Sequence, residues 1–315
     1  MNILHWPGSR REPRFLRAAW LVSGGGTRTP PEAQGSRILL PHIESFHDMT
    51  PPPEIESLLK TGDLTGALAA VKAAIRKAPT DSDLRFTLFQ FLAATGDWEG
   101  ASNQLVAYSE LTGRQSPLGH IFNDLVKAEV LRKLVFQGEK QPVIFGEPPE
   151  WVPLLVQSCA HFARGEYAAA MSLRSQALEE APGVSGTVNG APFDWMMDGD
   201  TRFGPMLELM MHGTYYWVPQ QRVQELTFAE PTHLRDRVWV AVQVTFETGG
   251  ATHAFMPVRY PAAHSWKDPA LHLARTTDWT SPAEGIYIGG GQRVLMTNTA
   301  EIPLLEIRTL TFAPA

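Results

Sequence analysis

Apolar positions between residues 49 and 183 recur every three or four positions, the spacing of helices that bury one face. Three segments of this part share a pattern in which a glycine and an acidic residue precede an apolar run with small residues. Their glycines are Gly62, Gly96 and Gly165, so the second copy follows the first after 34 residues and the third follows after a further 69. A period of 34 is that of the tetratricopeptide repeat, a hairpin of two helices. The pattern predicts a tetratricopeptide-like helical domain over residues 49–183.

Stacked helical hairpins expose a concave groove that is lined by the first helix of each hairpin and commonly binds a peptide or a helix. The repeat register places four residues of the second hairpin in this groove, and we predict that they contact a partner: Asp83, Phe86, Gln90 and Ala94. The corresponding positions of the third hairpin are so apolar that contact with neighbouring helices is the favoured interpretation: Val152, Leu155, Cys159 and Ala163. Between these hairpins, residues 120–136 predict one further helix.

Beyond Gly183 the pattern changes to short runs of β-branched and aromatic residues, which are typical of strands. Residues 238–246 and 253–260 are two such runs, and the Gly-Gly pair between them predicts a hairpin. One helix is expected around Gly204 to His212. The predicted fold class is α+β, in which the helical solenoid is followed by a β-rich domain, an antiparallel sheet or small barrel, over residues 184–315.

Residues 1–48 differ from both parts, because they contain six arginines, four acidic residues and no lysine, without a sustained periodicity. Residues 23–36 are rich in glycine, serine, threonine and proline, a composition typical of turns and linkers. We interpret residues 1–48 as a disordered or non-native extension, with Met49 as the natural start of translation. A flexible N-terminal arm is the alternative.

Charge and composition restrict the classes of partner and compartment. The 315 residues carry a formal net charge of −6, which predicts no affinity for nucleic acid or for anionic membranes. Cys159 is the single cysteine, so the chain cannot form an internal disulfide, as expected for a cytoplasmic protein. No apolar run approaches the roughly 18–20 residues that a membrane-spanning helix needs, so we predict no membrane insertion.

The densest group of acidic residues lies directly after the predicted domain junction and comprises Asp194, Asp198 and Asp200, with Arg202 beside them. A calcium loop of the EF-hand type would need an oxygen ligand where Met196 stands and a glutamate where Pro205 stands. A metal-dependent hydrolase using the three aspartates is therefore an alternative and not the main interpretation. We favour a structural role, in which Arg202 pairs with an aspartate while Asp200 or Thr201 caps the expected helix.

Other signatures of catalysis are incomplete. The segment 183–187 ends in threonine where a hydrolase nucleophile elbow needs glycine, and the glycine run at residues 289–291 does not open a helix. The ten histidines form neither an HExxH motif nor an i,i+4 pair. Cys159 has no basic residue beside it in the sequence that would activate a thiolate. The sequence therefore predicts no catalytic residue, no cofactor and no metal.

Four long motifs in the second half resemble the ImpE/SciE family, also called TagJ: residues 193–219, 234–240, 257–261 and 290–297. The resemblance also includes the repeats and so covers residues 52–312. The members of this family are accessory proteins of bacterial type VI secretion systems. The resemblance implies a non-enzymatic adaptor that binds the contractile sheath, through the N-terminal helix of the small sheath subunit, and connects it indirectly to a ClpV-type AAA+ ATPase. It assigns no catalytic residue. A general peptide-binding chaperone is a further alternative.

Overall fold

The computed structural model describes residues 51–113, 117–261 and 266–314. The predictions for residues 1–48 and for a start at Met49 lie outside this part. The helices are α1 (Pro53–Thr61), α2 (Leu64–Lys77), α3 (Ser82–Thr95), α4 (Trp98–Thr112), α5 (Pro117–Phe136), α6 (Trp151–Ala163), α7 (Tyr167–Glu180) and the short α8 (Pro269–His272). Within the described residues, no helix has both the length and the apolar composition needed to cross a membrane.

The three predicted hairpins are present as α1–α2, α3–α4 and α6–α7. Each pair is joined at the predicted glycine, and Gly62, Gly96 and Gly165 have φ angles of 84°, 76° and 74°, a conformation that strains other residues. Side chains cap the second helix in two of the hairpins, where Asp63 accepts from Gly66 N–H at 2.8 Å and Asp97 accepts from Gly100 N–H at 2.9 Å. The structure thus confirms the helical repeats, and α5 is the predicted helix between the second and third hairpins.

Small residues allow the paired helices to approach closely. Ala67 and Val71 of α2, like Ala170 and Ala177 of α7, have no solvent-exposed surface. Because an alanine side chain ends at Cβ, these positions bring the two backbones of a hairpin together without leaving a gap. The small residues at fixed positions of the repeat therefore reflect the short distance between the two helices of a hairpin.

The strands of the second half are β2 (Gly186–Val188), β3 (Ala191–Phe193), β4 (Met196–Asp198), β5 (Met206–Met211), β6 (Thr214–Pro219), β7 (Val223–Phe228), β8 (Trp239–Phe246), β9 (Ala251–Pro257), β10 (Thr277–Thr280), β11 (Ile288–Gly291), β12 (Val294–Thr297), β13 (Glu301–Pro303) and β14 (Thr309–Phe312). A two-residue strand of the helical half, β1 (Val143–Ile144), precedes them. The main sheet has nine strands in the order β1-β6-β5-β9-β8-β7-β14-β2-β3, and only the β1–β6 pairing is parallel. Two small sheets, β13-β12-β4 and β10-β11, complete the β-rich half, so the predicted α+β class is confirmed.

The prediction of a helix around Gly204 to His212 is wrong, because Met206–Met211 forms strand β5. Strand β5 pairs with β6 on one side and with β9 on the other, and a turn at His212 and Gly213 joins it to β6. All six of its residues are buried. A strand that is buried on both faces shows no alternation of apolar and polar residues, so its pattern cannot be distinguished from that of a buried helix. The hairpin predicted around the Gly-Gly pair, in contrast, is confirmed as β8–β9.

The helical and β-rich halves share one hydrophobic core. Helix α7 ends at Glu180 and β2 begins at Gly186, and the division into domains between residues 183 and 184 stays a prediction. One cluster of buried side chains nevertheless extends from the first hairpin into the main sheet, and its members include Phe89 and Phe122 as well as Trp217 and Trp239. The core of the helical half therefore continues into the main sheet, whereas a second cluster, with Val242 and Leu310 among its members, is formed within the β-rich half.

We expect Gly165→Ala to destabilise the protein by about 1–2 kcal/mol, the cost of holding a residue with a Cβ atom in the left-handed region. The space around Gly165 is open, so the cost comes from the backbone alone. Gly183→Ala is the matched control, since Gly183 also faces open space and has an ordinary φ. Denaturant unfolding of both variants measures the difference, and equal midpoints would contradict the predicted role of the turn.

Candidate functional site

The predicted groove residues of the second hairpin are not equivalent in the structure. Asp83 is exposed on the first turn of α3, whereas Phe86, Gln90 and Ala94 have exposed fractions of 0%, 2% and 0%. The second half of the chain covers these three, and Gln90 Oε1 accepts a hydrogen bond of 3.2 Å from the backbone N–H of Arg235. A partner therefore reaches only Asp83 in this arrangement. Contact between these residues and a partner stays a prediction.

The corresponding positions of the third hairpin mostly face the interior, as the favoured interpretation expected. Val152, Leu155 and Cys159 are buried, while Ala163 is exposed at the end of α6. Burial raises the pKa of the Cys159 thiol to about 12, so the thiol stays protonated at neutral pH. A protonated thiol is a poor nucleophile and a poor metal ligand.

The three aspartates of the acidic cluster have separate environments. Asp194 is exposed, and its carboxylate accepts a hydrogen bond of 2.8 Å from the Asn298 amide. Asp198 is buried, forms an ion pair with Arg293, and accepts a bond of 3.1 Å from the hydroxyl of Tyr260. This separation leaves no common centre for three carboxylates.

Asp200 and Arg202 form an ion pair in the segment that connects β4 to β5. Asp200 is fully buried and accepts from Nε and Nη2 of Arg202 at 2.9 and 2.6 Å, and from Gly289 N–H at 2.8 Å. Because the strand β5 follows at Met206, the predicted helix cap does not exist, and the hydroxyl of Thr201 instead accepts a hydrogen bond from the backbone N–H of Tyr287. These contacts support the predicted role of the cluster at the junction of the two halves, which stays a prediction.

The largest group of buried charges is centred on a residue that the sequence analysis did not single out. Glu208 of β5 is 1% exposed, and its oxygens accept from Nε and Nη2 of Arg132 at 2.7 and 2.8 Å. Arg293 and the hydroxyl of Tyr215 bind the same carboxylate. Arg293 also binds Asp198, so this buried ion cluster joins α5, β4 and β5 to the chain between β11 and β12.

A second carboxylate extends the cluster into the helices. Glu129 lies one turn before Arg132 on α5 and pairs with it at 3.4 Å. Its other oxygen accepts a hydrogen bond of 3.0 Å from the indole of Trp239 on β8. The one signal of this cluster in the sequence is a charged residue within an apolar run, since Glu208 stands between Leu207 and Leu209.

The arginines control the ionisation of the carboxylates. Burial by itself would raise the pKa of Glu208, but the attraction of Arg132 and Arg293 is greater and lowers that pKa to about 2. Burial raises the pKa of Asp198 to about 6, although Arg293 opposes the shift. Glu208 is therefore ionised at every physiological pH and has no proton to donate.

The buried carboxylates of this region are bound by arginines of the same chain. Among the residues that the structure describes, no three His, Cys, Asp or Glu side chains are placed to hold a metal ion. Arginines occupy the positions at Asp198, Asp200 and Glu208 that a cation would take. A surface cavity of about 340 Å³ between α5 and α6 has none of these carboxylates in its lining. The buried ion cluster links α5, β4 and β5 to the chain before β12.

Comparisons with known proteins cover most of the chain. A family model described as ImpE protein matches residues 190–311, and a tetratricopeptide-repeat model matches residues 58–118. The chain is 39% identical over 259 residues to the type VI secretion system accessory component TagJ of Pseudomonas aeruginosa, covering 82% of this chain and 91% of that protein. The crystal structure of protein VPA1032 from Vibrio parahaemolyticus superposes with a TM-score of 0.76 at 27% identity, covering 82% of this chain and 97% of that structure.

We expect Glu208→Gln to destabilise the protein by about 3–5 kcal/mol at pH 7, because it leaves two buried guanidinium groups without their shared anion. Glu56→Gln is the matched control. Glu56 pairs with Lys60 on the exposed face of α1, where such a pair contributes about 0.5 kcal/mol or less. Urea unfolding of both variants measures the two losses, and similar losses would show that the buried ion cluster is unimportant.

The contribution of Glu208 should depend on pH in the acid range. Its folded-state pKa of about 2 lies below the ordinary value of 4.5, so its stabilisation is fully present above pH 4.5 and is lost as the pH falls towards 2. We expect the difference in unfolding free energy between wild type and Glu208→Gln to shrink across this window. Urea unfolding at pH 7, 4.5 and 3 measures it, and a difference that grows on acidification would contradict the assignment.

Proposed function

The chain belongs to the ImpE family, and from this premise we propose that it is a non-enzymatic accessory protein of a bacterial type VI secretion system. The observation that carries the proposal is the match to the accessory component TagJ, which extends over 91% of that protein and includes both the repeats and the β-rich half. A match of this extent supports a common role more strongly than a shared repeat would, because tetratricopeptide repeats occur in proteins of many functions.

The internal chemistry supports a role without catalysis. The charged side chains that resemble a catalytic group in the sequence, Asp198 and Asp200, are buried and bound to Arg293 and Arg202. Both carboxylates also accept hydrogen bonds from backbone N–H groups. A substrate would have to displace these partners before it could reach either carboxylate, so the cluster serves the fold.

The partner we propose is the contractile sheath, bound through the N-terminal helix of its small subunit. The sheath-bound protein would then connect the sheath to a ClpV-type ATPase. A stack of helical hairpins is suited to such a role, because it presents long helix faces to which another helix can pack. Of the four contact residues predicted on α3, Asp83 is the one at the surface, and we propose it as a point of contact.

Calorimetric titration of the full chain with a peptide of the sheath helix tests this proposal. We expect saturable binding with a negative change in heat capacity, the sign of apolar surface buried on association. A peptide of the same composition in scrambled order is the control. Asp83→Lys should weaken binding, whereas Asp194→Lys, a change of the same charge on an exposed aspartate of the other half, should not.

Two outcomes would overturn the proposal. One is the absence of binding by a folded protein to both the peptide and the assembled sheath. The other is equal binding of the scrambled peptide and of unrelated helices, which would favour a general peptide-binding chaperone.

A further inference from the structure

We propose that the concave face of the second hairpin is occupied by an internal ligand, the chain's own second half, and that it stays closed when a partner binds. The internal ligand consists of the 3-10 turn Leu234–Arg237 and the first residue of β8, Trp239. Partner recognition then uses residues of the hairpins that stay exposed beside the closed face, such as Asp83. The part of this inference that concerns a partner rests on the proposed function, whereas the closed face does not.

The turn occupies the place where a repeat protein holds a peptide. The backbone N–H of Arg235 donates to the side chain of Gln90, a contact typical of peptide recognition by a polar groove residue. The guanidinium of Arg235 lies 5.7 Å from the ring centre of Phe86 and 5.6 Å from that of Phe122. Arg235 is itself only 6% exposed, so its charge interacts with the aromatic faces in a region with little water.

Trp239 fills the adjoining part of the face. Its ring stacks on Phe89 with centroids 6.3 Å apart and planes inclined by 13°, and it lies 5.8 Å from Trp98 and 6.2 Å from Phe122. Its indole N–H donates to Glu129 at 3.0 Å. The ring is 1% exposed. Trp239 thus has the features of a buried anchor residue at a protein interface, an apolar body with its polar atom satisfied.

Arginines of the second half also bind the C-terminal ends of the two hairpins' first helices. Both Nη atoms of Arg259 donate to the last carbonyls of α3, at Ala93 and Ala94. Arg275 donates to the corresponding carbonyls of α1, at Leu59 (2.5 Å) and Lys60 (3.4 Å). The carbonyls of Leu59 and Ala93 also accept from the N–H groups of Gly62 and Gly96, and all four carbonyls lie at the negative end of a helix dipole. In both hairpins an arginine of the second half therefore adds a cation at this end.

Opening this face would remove hydrogen-bond partners from buried charges. Arg259 is 3% exposed and would lose the α3 carbonyls, while Glu129 would lose Trp239. Three aromatic rings, those of Phe86, Phe89 and Trp239, would enter water at the same time. These contacts belong to the same cluster of buried side chains as Tyr215 and Trp217 of β6, so we expect the face to open only when the main sheet unfolds.

Native-state hydrogen exchange of the full chain, followed by mass spectrometry over increasing denaturant, tests the closed face. We expect the amides of residues 86–94 and 235–242 to exchange in the same transition as β5 and β6, whose residues lie in the main sheet. Exchange of residues 86–94 and 235–242 at a lower denaturant concentration, while β5 and β6 stay protected, would overturn the proposal.

A second experiment measures hydrogen exchange with the sheath-helix peptide bound. Saturating peptide should slow the exchange of residues 235–239 by the same factor as that of β5 and β6, because binding to the folded state protects every amide that exchanges through global unfolding. A face that opens to admit the peptide would instead show exchange at least tenfold faster there. Binding by Arg235→Ala should match wild type within about twofold, because the proposal gives this side chain no contact with the partner. An increase of tenfold or more in that variant's affinity would mean that the turn competes with the partner. Failure of wild type to bind the peptide would contradict the proposed function and leave the exchange result to decide the closed face.

Discussion

The structure depends on the neutralisation of one carboxylate that lies in an apolar core. Glu208 lies in a strand that is buried on both faces, and an unpaired charge there would cost far more than the strand gains by packing. Arg132 of α5 and Arg293 of the chain before β12 together neutralise it. Because both must be in place, α5, strand β5 of the main sheet and the small sheet of β4 and β12 have one mutual arrangement.

This constraint changes the role of the helical repeats. A stack of a few hairpins has two open ends and one open concave face, and solenoids of this kind normally need capping repeats to cover them. Here the β-rich half covers the second hairpin, and the side chains that meet there are aromatic on both sides, such as Phe89 and Trp239. The repeats are therefore one layer of a core that they share with the main sheet.

Buried ion pairs hold two of the acidic residues that in the sequence resemble a catalytic group. Asp198 and Asp200 are close in the sequence, flanked by apolar residues and accompanied by an arginine, as in many active sites. Their oxygens are used by arginines and by backbone N–H groups that hold the first strands of the β-rich half. Charged residues beside an apolar run can thus be buried as ion pairs when their hydrogen bonds are made within the chain.

The sequence by itself determined the elements that depend on neighbouring residues. The glycines of the 34-residue period mark the hairpin turns, the Gly-Gly pair marks the β8–β9 turn, and the motifs of the second half identify the family. Only the tertiary structure decided that β5 is a strand and that Phe86, Gln90 and Ala94 are covered. Glu208 and Arg132 are 76 residues apart, and Gln90 and Arg235 are 145 apart. Local periodicity carries no information about such pairs, because their contact exists only after both halves have folded onto a common core.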